Sequence, residues 1–333
     1  DLFLHGYMSN AGFEDVRETI ARHIIKTQGT NFSKKNILMT VGAASGLNVA
    51  LKTILNPGEE VVIFTPYFLE YNWYVNNYDG VVVQAPTDKK TFQPDLKSFE
   101  KLVGDKTRVV LINSPHNPTG VVYSEETIKG IANILKKKQK ELNRAIFIIA
   151  DEPYRELAYD GVEVPYITKY YENTIVAYSY SKSLSLPGER IGYLVIPDEL
   201  EESELVFDTA SNANRILGCV NAPSLQQKVI AKCVDAKVDL DYYDRNRKAL
   251  YEGLKDCGFE CIMPQGAFYL FVKSPVEDEA EFCKTAKKYN ILMVPGSAFA
   301  GPGYVRLAYC VSYETIQNSL PGFKKLAQEY GLR

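Results

Sequence analysis

Residues 179–192 read SYSKSLSLPGERIG and place Lys182 among hydroxyl side chains, just after a β-rich segment at 174–178. That segment is typical of a buried strand, and open α/β sheets bind their ligands beyond the carboxyl ends of such strands. A lysine amine at that edge suits covalent chemistry with carbonyl compounds, because burial and cationic neighbours lower its pKa. Ser179 and Arg190 suit an anion. Taken alone, the stretch is equally compatible with a solvated loop that carries a surface lysine and arginine.

The length of 333 residues predicts a large core with a second, smaller one, and the composition is that of an ordinary globular protein. The formal charge of −3 gives no polycationic surface, so we expect no nucleic-acid partner. The sequence has no apolar run long enough to span a membrane and no secretory leader, which predicts a cytoplasmic protein without membrane contact. Its six cysteines and three histidines lack the spacing of a zinc site, so we expect reduced thiols and no metal.

Apolar segments with strand character alternate with helical periodicity, a pattern typical of an α/β protein with a mostly parallel sheet. Strands are predicted at 37–41, 61–64, 81–83, 109–113, 145–150, 174–178 and 193–196. Helical periodicity at 224–254 predicts a connection to a smaller α/β unit with strands at 267–272 and 304–309. We therefore predict a large domain at 1–240 and a small C-terminal domain at 241–333.

Two of the predicted strands end in residues suited to a charged ligand. Asp151 follows the continuously apolar segment 145–150, where a carboxylate is costly unless it is paired. Residues 42–46 (GAASG) lie between a strand and a helix, so free backbone N–H groups and the helix dipole favour a phosphate there. The alternatives are a helix cap for Asp151 and plain helix–strand packing for the small-residue turn.

Several motifs resemble those of fold-type I aminotransferases, the class I and II enzymes of the aspartate aminotransferase type, which bind pyridoxal 5′-phosphate. They are S-x-S-K-x-x-x-x-x-G-x-R-x-G at 179–192, SPHNPTG at 114–120, DEPY at 151–154, PGSAF at 295–299 and GYVRL at 303–307. The motifs follow the family's order, and the resemblance covers nearly the whole chain. It implies a three-layer α/β/α large domain around a mostly parallel seven-stranded sheet, with a smaller α/β C-terminal domain.

For the cofactor, the resemblance implies that Lys182 forms the covalent bond and that Ser179 and Arg190 hold the phosphate. Ala43 and Ala44 occupy the contact positions of the family's phosphate turn. Residues 179–192 thus supply one part of a larger implied site.

Around the cofactor ring, the resemblance implies that Phe68 covers the pyridine face and that Asp151 pairs with the pyridine nitrogen. Asn117 and Tyr154 are the implied partners of the phenolic oxygen. Core packing is the alternative for Phe68, and His116 is interpreted as a bystander.

The substrate and a partner subunit complete the implied site. Arg306 corresponds to the arginine that binds the α-carboxylate bidentately, with help from Asn117. Tyr7 corresponds to a tyrosine that reaches the phosphate of the partner subunit, which implies a homodimer with shared active sites. The alternatives are an ion pair within the chain for Arg306 and a packed surface aromatic for Tyr7. Arg215 does not match the arginine that binds a side-chain carboxylate in aspartate-specific relatives, so no role is assigned to it.

The implied function is transfer of an amino group from an amino acid to a 2-keto acid, with aspartate among the candidate donors. Lys182 would be the general base that moves the proton. Family members carry an N-terminal segment that covers the substrate and contributes to the small domain. We expect that this part is missing from the sequence, so the lid and the side-chain pocket are not predicted.

Two alternative functions stay open. A pyridoxal-phosphate-dependent C–S or other β-lyase, or a synthase of the aminocyclopropane-carboxylate type, shares the fold and differs in the reaction. The effector domain of a transcription regulator also resembles this family and normally follows a basic winged-helix domain. Turnover of cysteine conjugates without a keto acid would indicate the lyase, and a DNA-binding extension would indicate the regulator.

Overall fold

The computed structural model describes residues 5–332, in which strands and helices alternate. The strands are β1 (Ile37–Thr40), β2 (Glu60–Phe64), β3 (Val81–Ala85), β4 (Thr107–Asn113), β5 (Phe147–Asp151), β6 (Thr174–Ser179), β7 (Gly192–Val195), β8 (Tyr269–Lys273), β9 (Val294–Pro295) and β10 (Tyr304–Ala308). The helices are α1 (Glu14–Gln28), α2 (Gly42–Ile54), α3 (Glu70–Asn76), α4 (Leu96–Leu102), α5 (Glu125–Leu142), α6 (Tyr180–Ser183), α7 (Ser203–Asn214), α8 (Ser224–Cys233), α9 (Leu240–Asp256), α10 (Glu279–Ala286) and α11 (Tyr313–Glu329).

Seven strands form one sheet in the order β1-β7-β6-β5-β4-β2-β3. β7 pairs antiparallel with β1 and β6, and the other neighbouring pairs are parallel. The predicted seven-stranded, mostly parallel sheet is therefore confirmed. The register places Asn113 of β4 beside Asp151 of β5, and Asp151 beside Ala177 of β6. The carboxyl ends of the central strands are thus level, and polar side chains meet at this edge.

Helices cover both faces of the large sheet. Strand β5 is buried along its whole length, and its successive side chains alternate between two cores. Ile148 packs in the core formed with α1, α4, α5 and α8, whereas Ile149 packs in the core formed with α2, α3 and α7. The predicted three-layer α/β/α arrangement is confirmed.

A second sheet has three antiparallel strands in the order β8-β10-β9. Its core also contains side chains of α9, α10 and α11. Tyr154, Leu157 and Tyr159, which follow β5, pack into this same core. The segment after β5 therefore connects the edge of the large sheet to the second sheet. The smaller α/β unit is present as expected, and the exact domain boundary at residue 240 stays a prediction.

Two local predictions differ from the structure. Residues 42–46 form the first turn of α2 rather than a separate turn, because Gly42, with φ of +77°, lets the chain enter the helix directly after β1. The helical segment predicted at 224–254 is divided into α8 and α9. Asp239 starts α9 by accepting a hydrogen bond from the backbone N–H of Tyr242 at 3.0 Å. An N-cap within one long periodic pattern therefore separates two helices.

Within residues 5–332, no helix is both long and apolar enough to cross a bilayer. Over the same part of the chain, no group of three or more His, Cys, Asp or Glu side chains is arranged to hold a metal ion. All six cysteines are free thiols.

Candidate active site

Strand ends of the large sheet surround a cavity of about 300 Å³, and a side chain of β10 closes it from the second sheet. The predicted site residues that line this cavity are Ala43, Ala44, Phe68, Asn117, Asp151, Tyr154, Ser179, Lys182, Arg190 and Arg306. Tyr7 lies outside the lining and is 95% exposed, so its role stays a prediction. Motifs that are far apart in the sequence therefore meet at the edge where parallel α/β sheets bind ligands.

One end of the cavity is suited to an anion. Helix α2 begins there, and the N–H groups of its first turn have no carbonyl partners within the helix. A Cβ on Gly42 would lie 2.9 Å from Nη2 of Arg190, so a larger residue would displace the guanidinium from this turn. Ser179 Oγ accepts a hydrogen bond from the N–H of Ser181 at 3.0 Å, and both serines line the cavity.

Lys182 lies on the short helix α6, which follows β6 directly. Its amine has a lowered pKa, mainly because of burial; the positive charges of Arg190 and Arg306 add to this, while Cys310 acts in the opposite direction. The Nζ atom lies 5.4 Å from the ring centroid of Phe268. At neutral pH the neutral, nucleophilic amine is therefore more populated than in an exposed lysine.

Asp151 is the last residue of β5 and is 7% exposed. Burial raises the pKa of its carboxyl to about 7, and a hydrogen bond from Tyr71 acts in the opposite direction. The Tyr71 hydroxyl donates to Oδ2 at 2.6 Å. Within residues 5–332, the buried Oδ1 has no hydrogen-bond partner. The carboxyl group therefore has one oxygen available to a cationic or N–H group in the cavity.

Two asparagines join the end of β4 to its surroundings. The Asn113 side chain donates to the backbone carbonyl of Asp151 at 2.9 Å and accepts from the backbone N–H of Asn117 at 2.8 Å. The Oδ1 of Asn117 in turn accepts a hydrogen bond from Nη1 of Arg306 at 2.9 Å. The Asn117 amide nitrogen is thereby oriented as a donor within the cavity.

Arg306 projects from β10 with its guanidinium between two aromatic rings. Its Cζ lies 4.2 Å from the ring centroid of Tyr269 and 4.4 Å from that of Phe299. One Nη donates to Asn117, whereas the buried Nε has no partner among the described residues. The guanidinium is therefore held in a fixed plane with donor capacity left for a carboxylate.

Tyr154 and His116 differ in their relation to the cavity. Burial raises the pKa of the Tyr154 hydroxyl well above its usual range, so it keeps its proton at neutral pH. Burial lowers the pKa of His116 to about 3, and its Nδ1 lies 2.7 Å from the Thr119 hydroxyl. His116 does not line the cavity, which agrees with its interpretation as a bystander.

Four lining residues with clear contacts are absent from the predicted site: Tyr71, Asn113, Ser181 and Tyr269. Tyr71 comes three positions after Phe68, a spacing that places both on one side of a helical turn. Asn113 ends a predicted strand, which is the signal that identified Asp151. Ser181 is the second serine of the S-x-S-K motif, so that motif was its signal. Tyr269 gives no comparable signal, because a tyrosine in a strand is common in any fold.

The sequence model of a family described as "Aminotransferase class I and II" matches residues 4–321. The chain belongs to the class I and II aminotransferases. This aminotransferase is 33% identical over 319 residues to the aspartate aminotransferase of Thermotoga maritima, with 94% of this chain and 81% of the relative covered. It is 31% identical to the probable aspartate/prephenate aminotransferase of Aquifex aeolicus, with 97% and 84% covered.

Solved structures agree with this family. The aminotransferase matches an amino transferase from Eubacterium rectale with a TM-score of 0.97 and 48% identity, covering 98% of this chain and 83% of the other. It matches the aromatic aminotransferase from Pyrococcus horikoshii with a TM-score of 0.90 and 29% identity, covering 100% of this chain and 90% of the other. The predicted family and enzyme class are therefore confirmed.

Class I and II aminotransferases of this fold use pyridoxal 5′-phosphate, and the cavity of this enzyme fits that group. Oδ1 of Asp151, which has no partner among the described residues, suits the protonated nitrogen of a pyridine ring. The free N–H groups at the start of α2 suit a phosphate, and the Lys182 amine in the same cavity suits an aldehyde. The enzyme is a pyridoxal-phosphate-dependent transaminase.

Proposed function

We propose that this enzyme moves the amino group of an α-amino acid to a 2-keto acid with Lys182 as both the covalent anchor and the proton carrier. The observation that supports this proposal is the placement of Lys182, Asp151 and Arg306 around one cavity. They supply an amine, a carboxyl group with one available oxygen, and a guanidinium whose Nε is free within the described residues.

The phosphate is assigned to the anion-binding end of the cavity. The backbone N–H groups of Ala43 and Ala44, at the start of α2, would bind it together with Ser179 and Arg190. Ser181 is added to this set, because its hydroxyl also lines the cavity. The N–H donors of Ala43 and Ala44 are fixed by the backbone of α2, so they bind the phosphate without large rearrangement.

The ring is assigned to the strand ends. Asp151 would accept a hydrogen bond from the pyridine nitrogen, and Phe68 would cover one face of the ring. Asn117 and Tyr154 would donate to the phenolic oxygen, which fits the free amide of Asn117 and the retained proton of Tyr154. A carboxylate beside the nitrogen favours the protonated ring.

When bound, pyridoxal phosphate supplies an aldehyde carbon and an electron-withdrawing ring. Lys182 would hold the cofactor through that carbon until a substrate amine takes its place. The freed Lys182 amine would then be the group that accepts and carries the proton of the substrate Cα. Its lowered pKa favours the neutral amine that this role requires.

The α-carboxylate of the substrate is assigned to Arg306 and Asn117. Because the guanidinium is held between two rings, it fixes the direction of the carboxylate and so the orientation of the Cα–H bond. Aspartate is the first amino donor to test, since the relatives from T. maritima and A. aeolicus carry aspartate in their names.

We propose further that the enzyme is a homodimer. Its interface would be the apolar surface of Tyr7, Ile216 and Leu217, which are exposed side chains with 95%, 70% and 39% of their areas accessible. The two segments that carry them are in contact, since Arg215 Nη1 donates to Asn10 Oδ1 at 3.2 Å. Exposed apolar surfaces of this kind mark protein interfaces.

This apolar surface adjoins the cofactor end of the site. The Sγ of Cys219, two residues after Leu217, lies 3.3 Å from Oγ of Ser45 in the first turn of α2. A second subunit on this surface would bring its own Tyr7 towards the phosphate. The free state of all six cysteines fits a reducing compartment such as the cytoplasm.

Borohydride reduction tests the assignment of Lys182. Reduction of the holoenzyme would fix the bond between lysine and cofactor, and peptide mapping should then find the cofactor on Lys182. The Lys182→Ala variant should retain cofactor through the phosphate contacts and yield no labelled peptide. Label on any other lysine of the native enzyme would contradict the assignment.

A further inference from the structure

Tyr269 contacts two parts of the site that lie on different sheets. It begins β8 and is buried. The Cζ of Arg306 on β10 lies 4.2 Å from its ring centroid, and its hydroxyl oxygen lies 3.2 Å from that of Tyr154, which follows β5. The same side chain therefore touches the guanidinium assigned to the substrate and the hydroxyl assigned to the cofactor.

The ring of Tyr269 supports Arg306 without using its hydrogen-bond donors. A guanidinium is attracted to an aromatic face, and here Tyr269 and Phe299 provide a face on each side. Contact with a ring face leaves the N–H groups of Arg306 available for hydrogen bonds. One of them is used by Asn117, and the remainder can bind a carboxylate.

The hydroxyls of Tyr269 and Tyr154 share one hydrogen bond, and its direction depends on what else Tyr154 donates to. Burial raises the pKa of both hydroxyls, so each keeps its single proton. If Tyr154 donates its proton to the cofactor's phenolic oxygen, it can only accept from Tyr269. The resulting chain runs from Tyr269 to Tyr154 to the cofactor, and donors in such chains strengthen one another.

We infer that Tyr269 is a positioning residue that couples the carboxylate-binding Arg306 to the cofactor-binding Tyr154. The inference rests on the proposed function, which places these two residues on substrate and cofactor. Its ring fixes the guanidinium, and its hydroxyl fixes the proton of Tyr154. Binding of a carboxylate is thereby linked to the hydrogen bonding of the cofactor through one side chain of the second sheet.

Two substitutions separate the tasks of Tyr269. Tyr269→Phe keeps the ring, so the KM of the amino acid should stay within about twofold while kcat falls about fivefold to tenfold, the effect of one neutral hydrogen bond. Tyr269→Leu removes the ring face, so KM should rise by roughly tenfold as well. Tyr269→Met replaces Tyr269→Leu if the latter does not fold, as judged by circular dichroism.

A spectroscopic measurement provides a readout independent of turnover. The visible absorbance of the bound cofactor is titrated with pH in the absence of substrate. Tyr269→Phe should raise the midpoint, because a weaker donor at Tyr154 stabilises the ionised phenolic oxygen less. Tyr154→Phe should raise the midpoint further. The matched control is Tyr304→Phe on β10. The ring of Tyr304 stacks on that of Phe271 with centroids 4.9 Å apart and does not line the cavity, so this variant should leave the midpoint unchanged.

The outcomes distinguish this inference from the proposed function. If Tyr154→Phe shifts the midpoint and Arg306→Lys raises KM, but Tyr269→Phe equals the Tyr304→Phe control, the coupling by Tyr269 is refuted and the proposed function stands. If neither Tyr154→Phe nor Arg306→Lys has an effect, the proposed function itself fails. A loss of kcat with a raised midpoint in Tyr269→Phe supports the coupling.

Discussion

The hydroxyl of Tyr71 donates a hydrogen bond of 2.6 Å to Oδ2 of Asp151, which lies 80 positions later in the chain. This bond occupies one carboxyl oxygen and leaves Oδ1 as the buried atom without a partner among the described residues. It also stabilises the ionised carboxylate against the effect of burial, which raises the Asp151 pKa to about 7. Tyr71 therefore affects both the direction and the charge of the group assigned to the cofactor nitrogen.

Replacing Tyr71 by Phe should move the activity profile to higher pH. Loss of the hydrogen bond raises the pKa of Asp151 further, so the carboxylate forms only at higher pH. The acidic limb of kcat/KM, which reports the free enzyme, should shift upward, with a loss of up to about tenfold on that limb, the effect of one hydrogen bond to a charged group. Tyr170→Phe is the matched control, because Tyr170, which does not line the cavity, also donates to a carboxylate, that of Glu125, at 3.0 Å. Equal profiles for the two variants would refute the role of Tyr71.

Asp151→Asn should alter the pH dependence of stability in the cofactor-free enzyme. The pKa of Asp151 is raised in the folded state from 3.8 to about 7, so its favourable contribution is complete below pH 4 and disappears as pH rises through about 7. The variant does not lose this folding stability as pH rises, a loss that is on the order of a few kcal/mol for a fully buried carboxyl. Its advantage in thermal unfolding over the native protein should therefore grow between pH 4 and pH 8.

The control for this experiment is Asp235→Asn. Asp235 is exposed, and its hydrogen bond with His23 holds its pKa below the usual value. It should give no advantage that grows with pH. A flat difference between Asp151→Asn and the native protein across this range would contradict the raised pKa of Asp151.

Arg306→Lys should weaken substrate binding more than it changes folding. An ammonium group cannot fill the space between the rings of Tyr269 and Phe299 or bind a carboxylate bidentately, so KM should rise about 10- to 100-fold. Arg245→Lys is the control, because exposed Arg245 lies 4.3 Å from the Tyr313 ring centroid outside the cavity. An unchanged KM in Arg306→Lys would remove Arg306 from its assigned role.

Ile216→Asp should separate the proposed dimer. A charge in the apolar surface of Tyr7, Ile216 and Leu217 would have to be desolvated on association. Sedimentation velocity should show a dimer for the native enzyme and a monomer for the variant. Leu292→Asp, at another exposed apolar residue, is the control and should remain dimeric. A native monomer, or a dimer that tolerates Ile216→Asp, would contradict the proposed interface.

The sequence was sufficient for features that depend on where strands end. Lys182, Asp151 and Asn117 follow apolar segments, and the rule that parallel sheets bind ligands at their carboxyl edge predicts that such residues meet. Contacts between segments that are distant in the chain could not be predicted in this way. Tyr71 of α3 bonds to Asp151 of β5, and Tyr269 of β8 lies beside Tyr154, only because the fold packs these segments together.

Helix boundaries were harder to predict where a single residue decides the position at which a helix begins. The division between α8 and α9 depends on the capping hydrogen bond of Asp239, which a long periodic pattern conceals. The start of α2 at Gly42 depends on a positive φ, which lets the small-residue segment join the helix. Both cases concern boundaries, whereas the order and type of the principal elements followed from periodicity.

The most direct test of the proposed function is the half-reaction with single amino acids. Purified holoenzyme is mixed with each amino acid in turn, without any keto acid, and the visible absorbance of the cofactor is followed. At least one amino acid, with aspartate tested first, should abolish the absorbance and release one equivalent of its keto acid, and a second keto acid should restore it. Lys182→Ala should show neither change. Failure of every amino acid to bleach the native enzyme, or continuous release of pyruvate from a cysteine conjugate without an acceptor, would contradict transamination as its reaction.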